Sequence, residues 1–471
     1  MSKKLGFVVA LLGLCASSLL LVSCGSSSSR PAGLLYVLTE GTTFNSSLGN
    51  SVSSFAINLY NGNLTLINSN ASTCPTQTAS CGLPINIFLD PTNSVGFVLN
   101  QGIPTTPVAP SIYSYTVNSD GSLSVSATAA PSWNCIAPLP ASCDSTNSYS
   151  DLAIAMVRDT NGQFIFVIDN GTSPSPATCP VLATAVSNST QATQFAGCPS
   201  ISVFAMKPGS TTLTLVSQSA TYQSPLFVSR IPTALSAVNY TPPGGGTPQE
   251  FLYVTYNQDL VFDNDNTLSA YSVSSSGILT DLTPNQPYVT AADPISVLAV
   301  NTNPSGRAVG GLFVFVGNQG ATTGAITGYQ VCTVVNAVCL AENLSQLEQV
   351  PGPPASAGEN PVAMVVDPTN TFLYTVSELS NQVFGYRIST SSGTLSSTVP
   401  AYQPTGTQPV ALALQPTVNL GGANSFSGQY LFVSNTNSSN LTGFTVSTTS
   451  GSMSNPTSVI SPPGPTGMAA K

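Results

Sequence analysis

Short runs of apolar, β-branched and aromatic residues alternate along this chain with polar stretches rich in Ser, Thr, Asn, Gly and Pro. One pattern recurs seven times: an aliphatic residue, two variable positions, Phe or Tyr, one variable position, then Ile, Val or Met. The copies are 52–57 (VSSFAI), 112–117 (IYSYTV), 201–206 (ISVFAM), 268–273 (LSAYSV), 326–331 (ITGYQV), 383–388 (VFGYRI) and 441–446 (LTGFTV). Alternation with a period of two predicts β-strands, and a fixed internal period predicts a repeat architecture. Three further runs accompany each copy. A proline-led run opens at Pro84, Pro232, Pro294, Pro361 and Pro409, with a proline-less version at 151–157. A run carrying one aromatic follows, at Tyr36, Phe97, Phe166, Tyr253, Phe315, Tyr374 and Phe432. After the six-residue motif, a glycine turn leads to a weak fourth run at Leu64, Leu123, Leu279, Leu395 and Met453.

Naming these runs A, B, C and D, four antiparallel strands repeated around a ring predict an all-β, seven-bladed β-propeller. The first B run, at 33–38, has no A run before it, whereas 465–471 reads as an A strand with nothing after it. The final strand is therefore expected to complete the first blade and close the ring, leaving no unpaired edge at the junction. Within the C motif, Phe55 and Ile57 point to one face and Ser54, Ser114, Ala270, Gly328, Gly385 and Gly443 to the other. Large residues of one blade are expected to meet small ones of the next.

Composition narrows the possible chemistry. Charged residues make up only 6% of the chain, the net charge is -9, and histidine is absent. Nine scattered Lys and Arg do not make a nucleic-acid surface. The first residues read as a targeting segment: Lys3 and Lys4, an apolar stretch at 6–21, then Leu21-Val22-Ser23-Cys24, which resembles the lipobox of bacterial lipoproteins. That resemblance implies a signal peptide at 1–23 and a lipidated Cys24; the Gly- and Ser-rich residues that follow read as a flexible tether over 24–32, and the repeat places the propeller over 33–471. With Gly25 following the cysteine, it further implies a lipid anchor in the bacterial outer membrane, facing the periplasm or the exterior. An ordinary secretory signal with a chance cysteine is the alternative, and either reading exports the protein. Eight other cysteines fall into near-neighbour pairs, Cys74 with Cys81, Cys135 with Cys143, Cys179 with Cys198 and Cys332 with Cys339. In an exported chain these read as local disulfides, although eight cysteines allow many connectivities.

The proline-led strand, the Asp-Pro-Thr-Asn turns at 90–93 and 367–370, the FLYV strand, the aromatic C strand and the Gly-x-Leu turn together resemble the lactonase family of seven-bladed propellers. That family includes propeller-type 6-phosphogluconolactonases, muconate cycloisomerase-like proteins and YVTN-repeat surface proteins. Its catalytic members tend to carry histidine just after the A-strand proline. Here those positions hold Ile85, Thr233, Ile295, Val362, Val410 and Thr466, so histidine-dependent proton transfer is excluded.

In a propeller the B-to-C and D-to-A loops share one face around the channel mouth. Three cysteine pairs fall in those loops, so this face is expected to bind ligand; simple protection of long loops is the plainer alternative. Candidate ligand contacts are Asn100, Gln101, Asn257, Asp293, Asn318, Glu359 and Asn435, and candidate catalytic groups are Glu40, Asp169 and Glu378 with Arg230. Asp259, Asp263 and Asp265 alternate in one loop and offer oxygens to a calcium ion, or form a solvated loop; no other cofactor is called for. The expectation is a monomeric, lipid-anchored binding module for a small molecule, a polymer or an envelope protein. The alternative is a hydrolase of a lactone using carboxylates at the channel mouth.

Overall fold

The computed structural model describes residues 33–40, 50–73, 82–102, 110–130, 152–170, 199–220, 222–223, 228–241, 247–259, 266–283, 288–302, 311–319, 323–332, 346–419, 427–461 and 463–471. The expected all-β ring is what forms. Seven antiparallel sheets are each built from four successive strand positions, and the C-terminal strand Pro465–Ala470 pairs with Leu34–Thr39 of the first blade. From blade 1 to blade 7 the A strands are Pro465–Ala470, Pro84–Leu89, Ala153–Arg158, Val228–Tyr240, Pro294–Asn301, Pro361–Val366 and Pro409–Asn419. Each touches the next around the ring, the last touching the first, so the A strands enclose the central channel.

The B strands are Leu34–Thr39, Val95–Asn100, Phe164–Asp169, Gln249–Asp259, Leu312–Asn318, Phe372–Ser377 and Ser427–Asn435, followed outward by the C strands that carry the sequence motif. D strands stand where the glycine turns placed them. Two more lack that sequence signal: Leu213–Ala220 in blade 3, and Leu347–Gln349 with Ala355–Gly358 in blade 5.

The core is divided among the seven junctions between blades. The cluster joining blades 1 and 2 contains Tyr36, Val52, Val98, Tyr113 and Tyr115; the one joining blades 7 and 1 contains Phe55, Ile57, Tyr430, Phe432 and Met468. Each C-strand aromatic therefore faces the preceding blade. The small C-strand residues serve a different partner from the expected one. Ser54, Ser114, Ala270, Gly328, Gly385 and Gly443 lie directly opposite Tyr36, Phe97, Tyr253, Phe315, Tyr374 and Phe432 of their own blade. A Cβ at Gly443 would stand 3.2 Å from the Phe432 ring, so the small residue makes room for that ring within the sheet.

Between blades, the glycine of the C-to-D turn does the close packing. Gly451 has φ +70°, and a Cβ there would lie 2.2 Å from Phe372 of blade 6; Gly62 stands in the same relation to Tyr430, and Gly393 to Phe313. Only glycine suits both the left-handed backbone and the contact. Tyr374 Oη donates to the Gly451 carbonyl at 2.9 Å and Tyr36 Oη to the Gly121 carbonyl at 3.0 Å, fixing the blades in register.

At the opposite end from the expected ligand face, aspartates cap the A-to-B hairpins. Asp90 Oδ1 accepts from the Ser94 and Val95 N–H groups, each at 2.8 Å, and Asp367 Oδ1 from Thr371 at 2.7 Å and Phe372 at 2.6 Å. Burial alone would push the Asp90 carboxyl up, but hydrogen bonds from Thr92, Val95, Gly209 and Ser94 outweigh it and hold the group below its ordinary value.

Candidate ligand-binding face

Every A strand carries the same irregularity. The B strand pairs with the first and third residues of a three-residue stretch, and the second is bulged out of register; the stretch opens the strand in six blades and starts at Pro232, inside Val228–Tyr240, in blade 4. These second residues are Thr466, Ile85, Ile154, Thr233, Ile295, Val362 and Val410. They include all six positions where the resembled family would place histidine, with Ile154 completing the ring. The residue before each bulge is buried in all seven blades, and the bulged residue is half-buried in all seven. A bulge re-aims a side chain. Ile85, Ile154 and Val362 pack against the clusters between blades, and each bulged residue keeps part of its surface exposed on the innermost strand.

Both threonines of this collar spend their hydroxyls between blades. Thr466 Oγ1 donates to the Pro84 carbonyl and Thr233 Oγ1 to the Pro294 carbonyl, each at 2.6 Å. Ser296 Oγ in blade 5 makes the same kind of bond to the Pro361 carbonyl at 2.6 Å. Proline at the A-strand start thus supplies a carbonyl acceptor to the preceding blade, besides needing no ladder bond for its nitrogen. The bulged position near the start of the innermost strands thus holds five aliphatic residues and two threonines whose hydroxyls are already bonded.

Around this collar lies the polar ring read from the sequence, and the structure sorts its members by depth. Asn100, Asn318, Asn435 and Asp169 end their B strands fully buried. Asn100 Nδ2 donates to the Thr73 carbonyl at 3.0 Å, Asn318 Nδ2 to Val316 and Thr327, and Asn435 Nδ2 to Asn440 and Thr442, so Asn100 ties blade 2 to the end of the D strand of blade 1 while Asn318 and Asn435 tie together the B and C strands of their own blades. Asp169 accepts from Ser200 Oγ at 3.3 Å. Gln101 is half-buried beneath the D-to-A entry of blade 3, and its carbonyl accepts from the Ala153 N–H. Asn257 is half-buried and bulged between Tyr256 and Gln258.

Nearer the solvent, Glu378 sits between blades 6 and 7. Gln408 Nε2 donates to its Oε1 at 2.7 Å and Asn360 Nδ2 to its Oε2 at 2.5 Å. Asn360 and Gln408 each immediately precede an A-strand proline and have φ of 63° and 56°; Asp293 occupies the same place in blade 5, with φ 50°. No sequence pattern announced that the residue before proline would be left-handed here, and Gln408 escaped the candidate set for that reason. Asp293 and Glu359 are exposed. Glu40 is half-buried, desolvation raises its pKa above the ordinary carboxylate value, and it has no side-chain hydrogen-bond partner among the described residues.

Other expectations fall where less is described. The Arg230 and Asp259 backbones pair directly across the A and B strands of blade 4, while Asp263 and Asp265 lie outside the described residues. Among the described residues no three metal-ligating side chains converge. Cys332 is buried and disulfide-bonded; the remaining expected disulfide cysteines and Cys24 lie outside the described residues.

No family model matches this sequence, and no curated protein matches it either. Solved structures do. A candidate 6-phosphogluconolactonase of Bacteroides uniformis superimposes with a TM-score of 0.57 at 13% identity, over 94% of this chain and 100% of the other. A second from Bacteroides fragilis gives 0.57 at 14%, over 95% and 99%. The periplasmic gluconolactonase of Pseudomonas aeruginosa gives 0.51 at 15%, over 93% and 99%. At such identities the likeness speaks for the backbone alone: this chain shares the seven-bladed propeller fold of those lactonase structures.

Proposed function

We propose that this protein is an exported, lipid-anchored propeller that binds a ligand over its channel mouth without chemically transforming it. The observation that carries this reading is the aliphatic collar. Where proton-transfer groups would stand, the chain places Ile85, Ile154, Ile295, Val362 and Val410, with two threonines whose hydroxyls are already bonded. The carboxylates beside it are similarly committed. Asp169 is buried, and Glu378 is held on both oxygens by amides. Such a surface has shape and polarity, and among the described residues it offers no free acid–base pair. Export through the lipobox-like segment is compatible with the periplasmic setting named for the Pseudomonas neighbour.

One observation favours the second reading, hydrolysis of a lactone. Glu40 is half-buried, desolvated and without a side-chain partner among the described residues, as a general base would be. The test is a panel of simple lactones with the purified protein and with Glu40→Ala, Asp169→Ala and Glu378→Ala. No turnover above background is expected from any of them. Turnover by the unmodified protein that one of these substitutions abolishes would replace the binding reading with the catalytic one.

A further inference from the structure

We propose that a hollow on the outer rim of the ring, between blades 5 and 6, binds a small uncharged aromatic molecule carrying a hydroxyl or N–H donor. The hollow is built from the outermost strands, so it is separate from the face discussed above and does not depend on the reading of that face.

The space exists because the outer strand of blade 5 is broken. Leu347–Gln349 pairs with residues 329–331 of the C strand, and Ala355–Gly358 pairs with residues 324–326. Thr327 and Gly328 are therefore left facing a five-residue loop, Val350-Pro351-Gly352-Pro353-Pro354. Proline cannot donate to a ladder, and three of them in this stretch keep it from pairing. Val350 is tied back, its N–H donating to the Gly328 carbonyl at 2.9 Å. Between this loop and the C-to-D turn of blade 6, at 393–395, lies a cavity of about 270 Å³. That is close to the lower end of small-molecule sites, roughly 300 Å³, and suits one ring or two fused rings.

The lining selects the ligand. Ile326 and Val350, both buried, and the half-buried Leu395 belong to the apolar cluster between blades 5 and 6, and among the described residues no charged side chain lines the cavity. Pro351, Pro353 and Pro354 are exposed and add pyrrolidine rings, whose electron-poor C–H groups suit the electron-rich face of an aromatic ring. The loop is also rich in acceptors and poor in donors. Its prolines have no N–H, that of Val350 is spent on Gly328, and no backbone donor of the described residues reaches the carbonyls of 351–354. A hydroxyl or ring N–H gives those carbonyls a partner. A carboxylate, which only accepts, would meet them without a donor, and an ammonium would lose water without gaining a counter-charge. The loop is not itself a polyproline ligand for another protein's aromatic groove: Gly352, with φ 102°, breaks the extended helix that such grooves read.

Three probes of similar shape test the assignment: naphthol, its saturated analogue decalol, and naphthoate, substituted at the same ring position. Each is titrated into the purified protein and followed by ligand-observed saturation-transfer NMR. Naphthol is expected to bind with a Kd below about 1 mM, at least about tenfold tighter than either of the others. Pro351→Ala, Pro353→Ala and Pro354→Ala combined should weaken naphthol about tenfold at an unchanged melting temperature, since all three residues are exposed. Thr394→Trp, which adds bulk from the blade 6 side and leaves the loop intact, should block binding, and decides the matter if the triple variant melts lower. Val362→Thr, on the innermost strand of blade 6, should leave naphthol binding unchanged, which keeps failure of this site distinct from failure of the channel-face reading. Equal affinities for naphthol and decalol would overturn the aromatic assignment, and tightest binding by naphthoate would overturn the acceptor-rich one. No saturation by naphthol up to about 5 mM, or binding indifferent to both the loop and the Thr394 substitutions, would overturn the site itself.

Discussion

Glu250 should contribute more to stability in acid than at neutral pH. It is the second residue of the B strand of blade 4, is 8% exposed, and packs against the A-to-B turn of blade 3. Its Oε1 accepts from the Thr160 N–H at 3.2 Å and from Thr160 Oγ1 at 3.4 Å, while Oε2 is buried without a hydrogen-bond partner. Asp159, the neighbouring carboxylate in that turn, is itself 2% exposed. Desolvation, augmented by the charge of Asp159 and only partly offset by bonds from Thr160 and Asn239, pushes the Glu250 carboxyl up to about 6 from 4.5. Asp159 is raised too, by burial first; the N–H groups of Phe164 and Gln163 and the charge of Arg158 pull the other way.

A carboxyl with a higher pKa in the folded state binds its proton more tightly when folded. Its stabilising contribution is fully present below pH 4.5 and is lost as pH rises through about 6. A difference of about 1.5 pKa units corresponds to about 2 kcal/mol. Glu250→Gln keeps an oxygen for Thr160 and abolishes the titration. Urea denaturation of both proteins between pH 4 and pH 8 is the measurement. The unmodified protein should lose about 2 kcal/mol relative to the variant across that range. Parallel stability curves for the two proteins would refute the reasoning, since they would mean that Glu250 titrates alike folded and unfolded.

Removing Pro465–Ala470 and Lys471 should cost the ring its closing strand, the buried Met468 and the Thr466 bond to Pro84, a loss of at least about 3 kcal/mol. An unchanged melting temperature would argue against closure by this strand. Gly451→Ala, with φ +70° and a contact of 2.2 Å to Phe372, should destabilise by about 3 kcal/mol in chemical denaturation. Gly352→Ala, left-handed but with open space around it, should cost only about 1 kcal/mol, and equal losses at the two sites would contradict the packing role. Asp90→Ala should open the blade 2 hairpin, detectable as faster amide exchange at Val95 and at Gly209 in the next blade; protection equal to that of the unmodified protein would show that the cap is dispensable.

The number of blades, the order of strands within each and the closing partner of the C-terminal strand were all legible from the chain. Strand alternation and turn glycines are local signals, and seven copies make the period visible even where one copy is weak. The D strands of blades 3 and 5 show the limit. Blade 3 turns through Lys207-Pro208-Gly209, and blade 5 interrupts its outer strand around 350–354, so neither carries the Gly-x-Leu signal.

The polar ring was also readable as a set of residues, because it follows directly after each B-strand aromatic. Its depth was not. Asn100, Asn318 and Asn435 look like channel-mouth amides in sequence yet are buried, Asn100 bonded to Thr73 of blade 1 and the other two to the strands of their own blades, whereas Gln408, an unremarked residue before a proline, grips Glu378. Burial of a strand-end side chain depends on what the fold brings beside it.

By itself, then, the sequence determined a ring of seven four-stranded blades, because periodicity and turn chemistry are properties of neighbouring residues. Only the tertiary structure decided the bulge at Ile85, Val362 and their counterparts, the glycine contacts between blades, and the meeting of Asp159 with Glu250. Each depends on a one-residue slip in register or on two distant segments arriving side by side. An alternating pattern encodes which face a residue takes, and leaves open where the alternation breaks and what stands opposite.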